Sequence, residues 1–175
     1  MATENELCTY LKLAQELVYN NCNVELTNLK LNSESAEYGA CSFKLNGHKI
    51  EHRISKITPT KTGQFVTIWK RNKNGITEPF DIVDNFDFVV ITSKDDDNFG
   101  QFLFPKSVLA DKGIISQNRK NGKRGIRVYP SWDSTTNKQA EKTQNWQTKY
   151  FVEIKKDNTT DIQLVKQIFN KANTL

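Results

Sequence analysis

Apolar side chains recur at helical spacing near both ends of the chain. Residues 3–20 begin with Thr3 and Glu6, which have the spacing of a capping box. One face of this stretch is apolar: Leu7, Leu11, Ala14, Leu17 and Val18. Asp161 precedes a second amphipathic stretch with an apolar face made of Ile162, Val165, Ile168 and Phe169. The pattern predicts an N-terminal and a C-terminal helix.

The middle of the chain carries the patterns that are typical of strands. Cys41, Phe43 and Leu45 alternate with polar residues, and Asn46-Gly47 is a strong signal for a two-residue hairpin turn. Residues 88–91 are apolar in succession, which indicates a strand buried on both faces. The predicted strands cover residues 41–45, 48–57, 64–71, 87–92, 100–104, 125–129 and 150–155.

Short helices and polar loops separate the later strands. Pro105 suits the first turn of a helix at 107–112, and Gly113 suits its end. A helix is also predicted from about Asn137 to Trp146, with Ser134, Thr135 or Thr136 as its cap. We expect polar loops at 93–98 and 114–123, the second of them mobile. The order of helices and strands predicts a mixed α/β (α+β) fold with a central mixed sheet flanked by helices, in a single domain over residues 1–175.

The composition narrows the class of protein. Of the 175 residues 10% are aromatic, which argues against a disordered chain. No apolar run approaches the ~18 residues that cross a bilayer, and the acidic start lacks the pattern of a secretory signal. Cys8, Cys22 and Cys41 form no C-x-x-C pair, as expected of reduced thiols. We therefore expect a cytoplasmic protein with no membrane span. The sequence does not indicate an oligomeric state.

The positive charge of the chain is concentrated in two blocks. The net charge is +5, but residues 41–73 hold eight basic side chains against one acidic. Residues 112–132 hold six basic side chains and no acidic one. If the fold brings these two basic blocks together, they form a surface for a polyanion. The alternative is that the blocks are solvated faces whose charges pair with the acidic segments between them.

Few motifs for catalysis are present. The chain has no P-loop, no G-x-G-x-x-G and no G-x-S-x-G, so the sequence does not indicate a nucleotide cradle or a serine hydrolase. His48 and His52 lie on a predicted strand, where a spacing of four does not align two ligands. We therefore expect no zinc site. Asp87 is the most notable acid, because it opens the most apolar strand.

The basic blocks also contain the aromatic and amide side chains that nucleic-acid sites use. Cations hold phosphates, amides add directional hydrogen bonds, and aromatic rings stack on exposed bases. The candidate nucleic-acid-binding residues are Lys56, Lys61, Lys70, Arg71, Arg119, Lys120, Lys123, Arg124, Arg127, Trp132, Gln144, Trp146 and Gln147. The alternative for the aromatic residues, Trp69 and Tyr129 included, is packing in or beside the core.

Several stretches of the chain resemble the MepB family of small bacterial proteins. These are KITPTKTGQFVTIWKR at 56–71, GQFLFPK at 100–106, GKRGIRVYPSWD at 122–133 and QNWQ at 144–147, followed by Tyr150-Phe151. The resemblance implies a fold similar to type II restriction endonucleases, and nucleic-acid binding. The family takes its name from a gene beside a multidrug efflux pump and its regulator.

The nuclease analogy implies a set of metal-binding residues that can be checked against the sequence. Such enzymes hold Mg²⁺ with an Asp at a strand start and an acid two residues before a Lys on the next strand. Here Asp87 and Lys106 match, and Glu37 could be the acid from a helix, but Phe104 stands where the second acid belongs. Glu153-Ile154-Lys155 has the acid-x-Lys form but follows Asp87 by 66 residues. The analogy therefore favours a nuclease-like fold that binds nucleic acid without cleaving it and needs no cofactor.

Three functions remain open from the sequence. The first is a non-catalytic protein that binds DNA or RNA phosphates through the two basic blocks. The second is a Mg²⁺-dependent nuclease that uses Glu37, Asp87 and Lys106. The third is a protein-interaction module, for example one that contacts a regulator of an efflux operon.

Overall fold

The computed structural model describes the backbone of residues 4–172 and the side chains from Thr9 onward. Four helices are present in this part of the chain: α1 Glu4–Ala14, α2 Lys106–Asp111, α3 Lys138–Gln147 and α4 Ile162–Ala172. The strands are β1 Leu26–Leu31, β2 Cys41–Leu45, β3 His48–Ile54, β4 Lys56–Thr58, β5 Lys61–Thr67, β6 Trp69–Arg71, β7 Thr77–Pro79, β8 Phe88–Asp95, β9 Asn98–Pro105, β10 Gly125–Val128 and β11 Phe151–Glu153.

Six strands form the main sheet, in the order β1-β2-β3-β8-β9-β11. Strands β3 and β8 are parallel, and every other neighbouring pair is antiparallel, so the sheet is mixed. The hairpin between β2 and β3 turns at Asn46 and Gly47, which have φ of 52° and 85°. Asn and Gly at these positions are the pair that a type I′ turn favours.

The main sheet is covered on both faces, by different elements. On one face, α1, the π turn that follows it and α4 pack against apolar residues of the central strands through Leu11, Val18, Val165, Ile168 and Phe169. On the other face lie a small sheet, β10-β5-β4, and the helices α2 and α3. Strand β8 contributes to both cores, because Val90 faces α1 and α4 while Val89 and Ile91 face the small sheet. This confirms the predicted mixed fold with a central sheet flanked by helices.

Two predicted strands are each divided between sheets. The predicted strand 48–57 is β3 of the main sheet and β4 of the small sheet, and the chain changes sheet at Ser55. The buried Ser55 hydroxyl lies 2.7 Å from Gln64 Oε1 and 2.6 Å from Ser93 Oγ, so polar contacts hold the crossing point. The predicted strand 64–71 likewise splits at Ile68 into β5 and β6, and β6 pairs with β7 in a separate hairpin.

The first predicted polar loop was too long. Residues 93–95 continue β8, and Asn98 begins β9, so only Asp96 and Asp97 turn the chain. Residues 114–123 lie outside the named helices and strands, as expected of a loop, but hydrogen-bonded turns and the buried Ile114 and Ile115 tie them to the fold. Strand β1 was not predicted, because four of its six residues are exposed and the strand is irregular between Thr27 and Lys30.

The helix ends follow local capping rules, with one correction. Asn137, and not Ser134, Thr135 or Thr136, caps α3 by accepting a hydrogen bond from the Ala140 N–H at 2.9 Å. Asp161 accepts from the Leu164 N–H at 3.0 Å and begins α4 as predicted. The first helix continues beyond Ala14 through a π turn and a 3₁₀ turn to Cys22. The expected cap Thr3 lies outside the described residues.

No helix within residues 4–172 is both long enough and apolar enough to cross a membrane.

Candidate nucleic-acid interface

Residues 114–124 form a tight basic hairpin beside β10, which we call the basic hairpin. Asn118 and Arg119 turn the chain with φ of 52° and 64°. The N–H of Lys120 donates to the carbonyl of Gln117 at 2.9 Å, and the reverse bond is 3.1 Å long. Two successive residues with positive φ give the geometry of a type I′ turn. The hairpin therefore holds Arg119 and Lys120 at its tip.

The base of the basic hairpin is anchored to the rest of the fold. The N–H of Lys123 donates to the carbonyl of Ile114 at 2.8 Å, and that of Ser116 donates to the carbonyl of Phe80 at 2.7 Å. Gly122 lies so close to the opposite strand of the hairpin that an added Cβ would come within 2.5 Å of the Ile114 carbonyl oxygen. The position of the basic side chains is thus set by backbone contacts.

The cations of the basic hairpin are available to a partner. Arg119, Lys120, Lys123 and Arg124 are exposed. None of the four makes an ion pair with an acid among the residues that the structure describes. Arg124 donates from Nε to the carbonyl of Thr77 at 3.1 Å, which fixes its direction. Four cations of the second basic block therefore share one exposed hairpin.

A groove opens next to the basic hairpin, between β10 and α3. Its volume is about 350 Å³. Its polar and aromatic lining includes Lys112, Lys123, Arg127, Tyr129, Thr143 and Trp146. None of the described residues that line the groove is acidic. The groove thus combines a positive potential with two aromatic rings.

Sequence reasoning named some of the groove residues and missed others. Lys123, Arg127, Trp146 and Gln147 were candidates, and the structure brings all four together. Lys112, Tyr129 and Thr143 were not among the candidates. A signal for Thr143 was present, because residues 139, 143 and 146 share one face of a helix.

The two candidate glutamines support the backbone. Gln147 is buried, and its amide accepts from the Tyr129 N–H at 2.8 Å and donates to the Arg127 carbonyl at 3.1 Å. Gln144 donates to the carbonyls of Pro130 and Asp133 at 2.9 and 2.8 Å. Both side chains therefore hold residues 127–133 against α3 and are not free for a ligand.

Arg127 also has a structural role. Its Nη1 donates to the carbonyls of Thr62 and Gly63 at 3.1 and 2.9 Å, and Nη2 donates to Thr58 Oγ1 at 2.8 Å. The guanidinium thereby clamps the turn between β4 and β5 to β10. Its charge still contributes to the potential of the groove that it lines.

The candidate tryptophans pack beside the apolar core that lies between the main sheet and the small sheet. Trp146 lies with its ring 5.3 Å from that of Phe104, and Trp132 contacts Phe151 edge to face at 5.2 Å. Trp146 also lines the groove, so part of its surface is open to a ligand. Trp132 does not line the groove, and its indole Nε1 is buried without a hydrogen-bond partner among the described residues.

Most candidates from the first basic block contact other side chains of the protein. Lys70 pairs with Asp84 and with Glu78 at 3.4 Å, and Arg71 pairs with Glu34 at 2.6 Å. Partial burial lowers the pKa of Lys70, but the hydrogen bonds and charges of Asp84 and Glu78 outweigh this and raise it. Lys56 lies 4.2 Å from the centre of the Tyr38 ring, and Lys61 is exposed. The pairing with acidic segments holds for Lys70 and Arg71, whereas in the second block Lys112 alone makes such a pair among the described residues.

The three nuclease candidates do not form one site. Asp87 accepts a hydrogen bond from the Lys49 N–H at 2.7 Å, next to the first paired residues of β3 and β8. Glu37 lies two residues before Gly39. Gly39 contacts His52 through its carbonyl and packs against Ile54, which is at the other end of β3 from Lys49. The four residue steps from Ile50 to Ile54 span about 13 Å. Glu37 and Asp87 are therefore at opposite ends of the sheet.

The residues present also do not fit a magnesium site. Lys106 is close to Asp87 but donates from Nζ to the carbonyl of Ile82 at 3.1 Å and to that of Asp84. Phe104, at the position of the second acid, is buried and packs on Phe102 at 5.3 Å. Within the described residues, no group of three or more His, Cys, Asp or Glu side chains could hold a metal ion.

Comparison with known proteins assigns the chain to a family. The sequence model of the family described as MepB-like matches residues 32–153, which include β2 to β11 and the whole groove. A crystal structure of MepB superposes with a TM-score of 0.71 at 36% sequence identity, covering 73% of this chain and 86% of that one. No curated protein matches the sequence. The agreement of the family model and of the solved structure shows that this chain belongs to the MepB-like family.

Proposed function

We propose that this protein binds DNA or RNA by contacting backbone phosphates through the basic hairpin. The observation that supports this proposal is the set of four exposed cations on the basic hairpin, none of which pairs with an acid in the described part of the chain. The hairpin lies beside a groove whose described lining contains no acidic residue. Phosphate contacts supply most of the affinity of non-specific nucleic-acid binding. The basic hairpin offers several such contacts on one fixed turn.

The contacts of the two basic blocks favour the second block for the proposed interface. Of the first block, Lys61 is exposed at the start of β5, whereas Lys70 and Arg71 are paired with acids. Strands β5 and β10 are neighbours, with Arg127 beside Phe65, so the two blocks meet in the small sheet. We assign Arg119, Lys120, Lys123 and Arg124 to phosphates, and give Lys56 and Lys61 a peripheral part.

We also propose that the protein has a restriction-endonuclease-like fold but no nuclease activity. The support is local: Asp87 stands at the start of β8, and Lys106 directly follows β9, its N–H donating to the Asp87 carbonyl at 2.9 Å. The separation of Glu37 and the buried Phe104 argue against a metal-dependent reaction. A reducing cytoplasm is the compartment we propose, because the three cysteines of the sequence form no C-x-x-C pair.

A salt series of binding measurements tests the proposed function. Labelled DNA and RNA are titrated with wild-type protein and with the double variant Lys120→Glu and Lys123→Glu. Each lost phosphate contact lowers the salt slope by about 1, so we expect the double variant to lose about 2 units of slope and most of its affinity at low salt. Lys142→Glu, on the exposed side of α3, is the control for added negative charge.

Two results would contradict the proposed function. Unchanged binding by the hairpin variant would place the interface elsewhere. Equally tight binding to heparin would indicate a general polyanion surface or a surface for an acidic protein. Incubation of plasmid with Mg²⁺ or Mn²⁺ tests the nuclease alternative, and cutting that is lost in Asp87→Asn would establish that alternative.

A further inference from the structure

The free edge of β10 forms one wall of the groove. Strand β10 pairs only with β5 in the described part of the chain. The Ile68 N–H donates to the Arg124 carbonyl at 2.8 Å, so residues 124, 126 and 128 direct their backbone groups toward β5. The alternation of an antiparallel pair then directs those of Gly125, Arg127 and Tyr129 toward the groove. Gln147 accepts from the Tyr129 N–H and donates to the Arg127 carbonyl. The N–H groups of Gly125 and Arg127 then have no hydrogen-bond partner among the described residues and are available to a ligand.

Basic residues line the same groove as these two N–H groups. Lys112, Lys123 and Arg127 all line the groove. Lys112 pairs with its neighbour Asp111 at 3.1 Å, but both side chains are exposed, and such pairs hold a lysine weakly. Backbone N–H groups and lysine ammonium groups are donors that bind a phosphate, and the charge of the Arg127 guanidinium adds to the attraction. This part of the groove therefore suits one phosphate group.

Aromatic rings lie within the same cavity. Trp146 and Tyr129 both line it. Phe104 packs against Trp146, and the Lys112 ammonium lies 5.9 Å from the centre of the Trp146 ring. A ring fixed by packing can stack a base on the part of its surface that lines the cavity, with little loss of side-chain freedom. The cavity of about 350 Å³ is at the small end of the ligand range, ~300–1,000 Å³. It has room for one nucleotide but not for a base pair within a duplex.

We propose that the groove between β10 and α3 holds one unstacked nucleotide of a single strand. Its phosphate lies against Lys112, Lys123 and the N–H of Arg127, and its base lies against Trp146. This inference rests on the proposed function and adds to it a preference for unpaired over paired nucleic acid. The basic hairpin holds the flanking phosphates of either form, whereas the groove distinguishes them.

Fluorescence anisotropy with a labelled single strand, and with the blunt duplex of the same sequence, tests the preference at one salt concentration. We expect the single strand to bind roughly tenfold tighter, the effect of stacking about one base. Thr143→Glu places a carboxylate in the groove and should bring the single strand down to the affinity of the duplex. Asn145→Glu adds the same charge to the exposed side of α3 and should keep the ratio. Lys120→Glu should weaken both forms equally.

The outcomes separate the two proposals. If neither form binds, the proposed function fails. If both forms bind equally and Thr143→Glu behaves like Asn145→Glu, the nucleotide groove is wrong while the proposed function stands. Adenosine monophosphate is the competitor for a free ligand, and tight binding of it without any single-strand preference would overturn the assignment to a strand. If circular dichroism shows that Thr143→Glu is unfolded, the exposed Gln139→Glu replaces it.

Discussion

His52 is buried at the centre of the main sheet, in a chain of hydrogen bonds that fixes its ring in the neutral form. Its Nδ1 lies 3.2 Å from the Gly39 carbonyl, which can only accept, so Nδ1 carries the proton. Its Nε2 then accepts from Thr92 Oγ1 at 2.8 Å. Gln101 Nε2 donates to the same hydroxyl at 3.0 Å, and Gln101 Oε1 accepts from the hydroxyl of the buried Tyr19. Every side chain of this network is satisfied without a charge.

The burial of His52 predicts that acid destabilises the protein. Desolvation lowers the pKa of His52 from 6.5 to about 3. The unfolded chain therefore binds a proton below pH 6.5 that the native protein does not bind until about pH 3, and stability falls as the pH falls through this window. We expect a loss of about 2 kcal/mol in the free energy of unfolding between pH 7 and pH 5, measured by urea titration.

Substitution of each histidine in turn provides the controls for the pH effect. His52→Gln should be less stable at pH 7, because the network is broken, but should lose most of the dependence on pH between 7 and 5. His48→Gln, at a half-buried position, should keep that dependence. A wild-type protein equally stable at pH 7 and pH 5 would contradict the neutral assignment of His52.

At the scale of residues, the sequence identified chemical groups but not the direction of their side chains. Gln144, Gln147 and Arg127 have the polar groups of a nucleic-acid site, yet they bind backbone atoms of distant segments. The partners of Arg127 lie 64 to 69 residues away along the chain. No local pattern reports such a contact. The exposed charges of the basic hairpin could be predicted, because a run of cations without acids has no local partner.

At the scale of elements, the basic hairpin was expected to be mobile and is instead tied down. Its composition is polar, which is typical of loops, but two successive left-handed residues and the close approach at Gly122 define it. This approach predicts that Gly122→Ala displaces the hairpin, because the Cβ would lie 2.5 Å from the Ile114 carbonyl oxygen. We expect a loss of about 1–3 kcal/mol in stability and weaker nucleic-acid binding with no change in charge.

Thermal unfolding and the salt series of binding measurements together check the Gly122 prediction. Asn121→Ala changes an exposed neighbour and should leave both measurements as in the wild type. Binding by Gly122→Ala that equals the wild type would show that the phosphates need only the charges of the hairpin and not its fixed shape.

At the scale of the whole molecule, the fold class could be predicted but the division into sheets could not. Strand periodicity is the same on either side of Ser55 and Ile68, so it carries no mark of a change of sheet. The change depends on what covers each face. The buried apolar residues of β8 alternate between the core on the side of α1 and α4 and the core on the side of the small sheet. Only the folded chain shows which of the two cores each residue joins.

The same layering predicts that the family-matched region does not fold alone. Residues 32–153 contain the candidate interface but lack α1 and α4, which cover one face of the main sheet. The buried side chains thereby lost include Leu11, Val18, Tyr19, Val165, Ile168 and Phe169. At about 1.5–3 kcal/mol for each, six such residues contribute about 9–18 kcal/mol, as much as the whole stability of a typical domain.

We therefore expect a fragment of residues 32–153 to be unfolded or aggregated, as measured by circular dichroism and by size-exclusion chromatography. In the full chain, Phe169→Ala should cost about 3–5 kcal/mol because it leaves a cavity against Phe88 and His48, whose rings lie 5.0 and 5.8 Å away. Asn170→Ala, at the exposed neighbouring position, should cost little. A fragment with a cooperative thermal transition and wild-type nucleic-acid affinity would show that the small sheet and the main sheet need only each other. In that case the two terminal helices would serve a purpose other than closing the core.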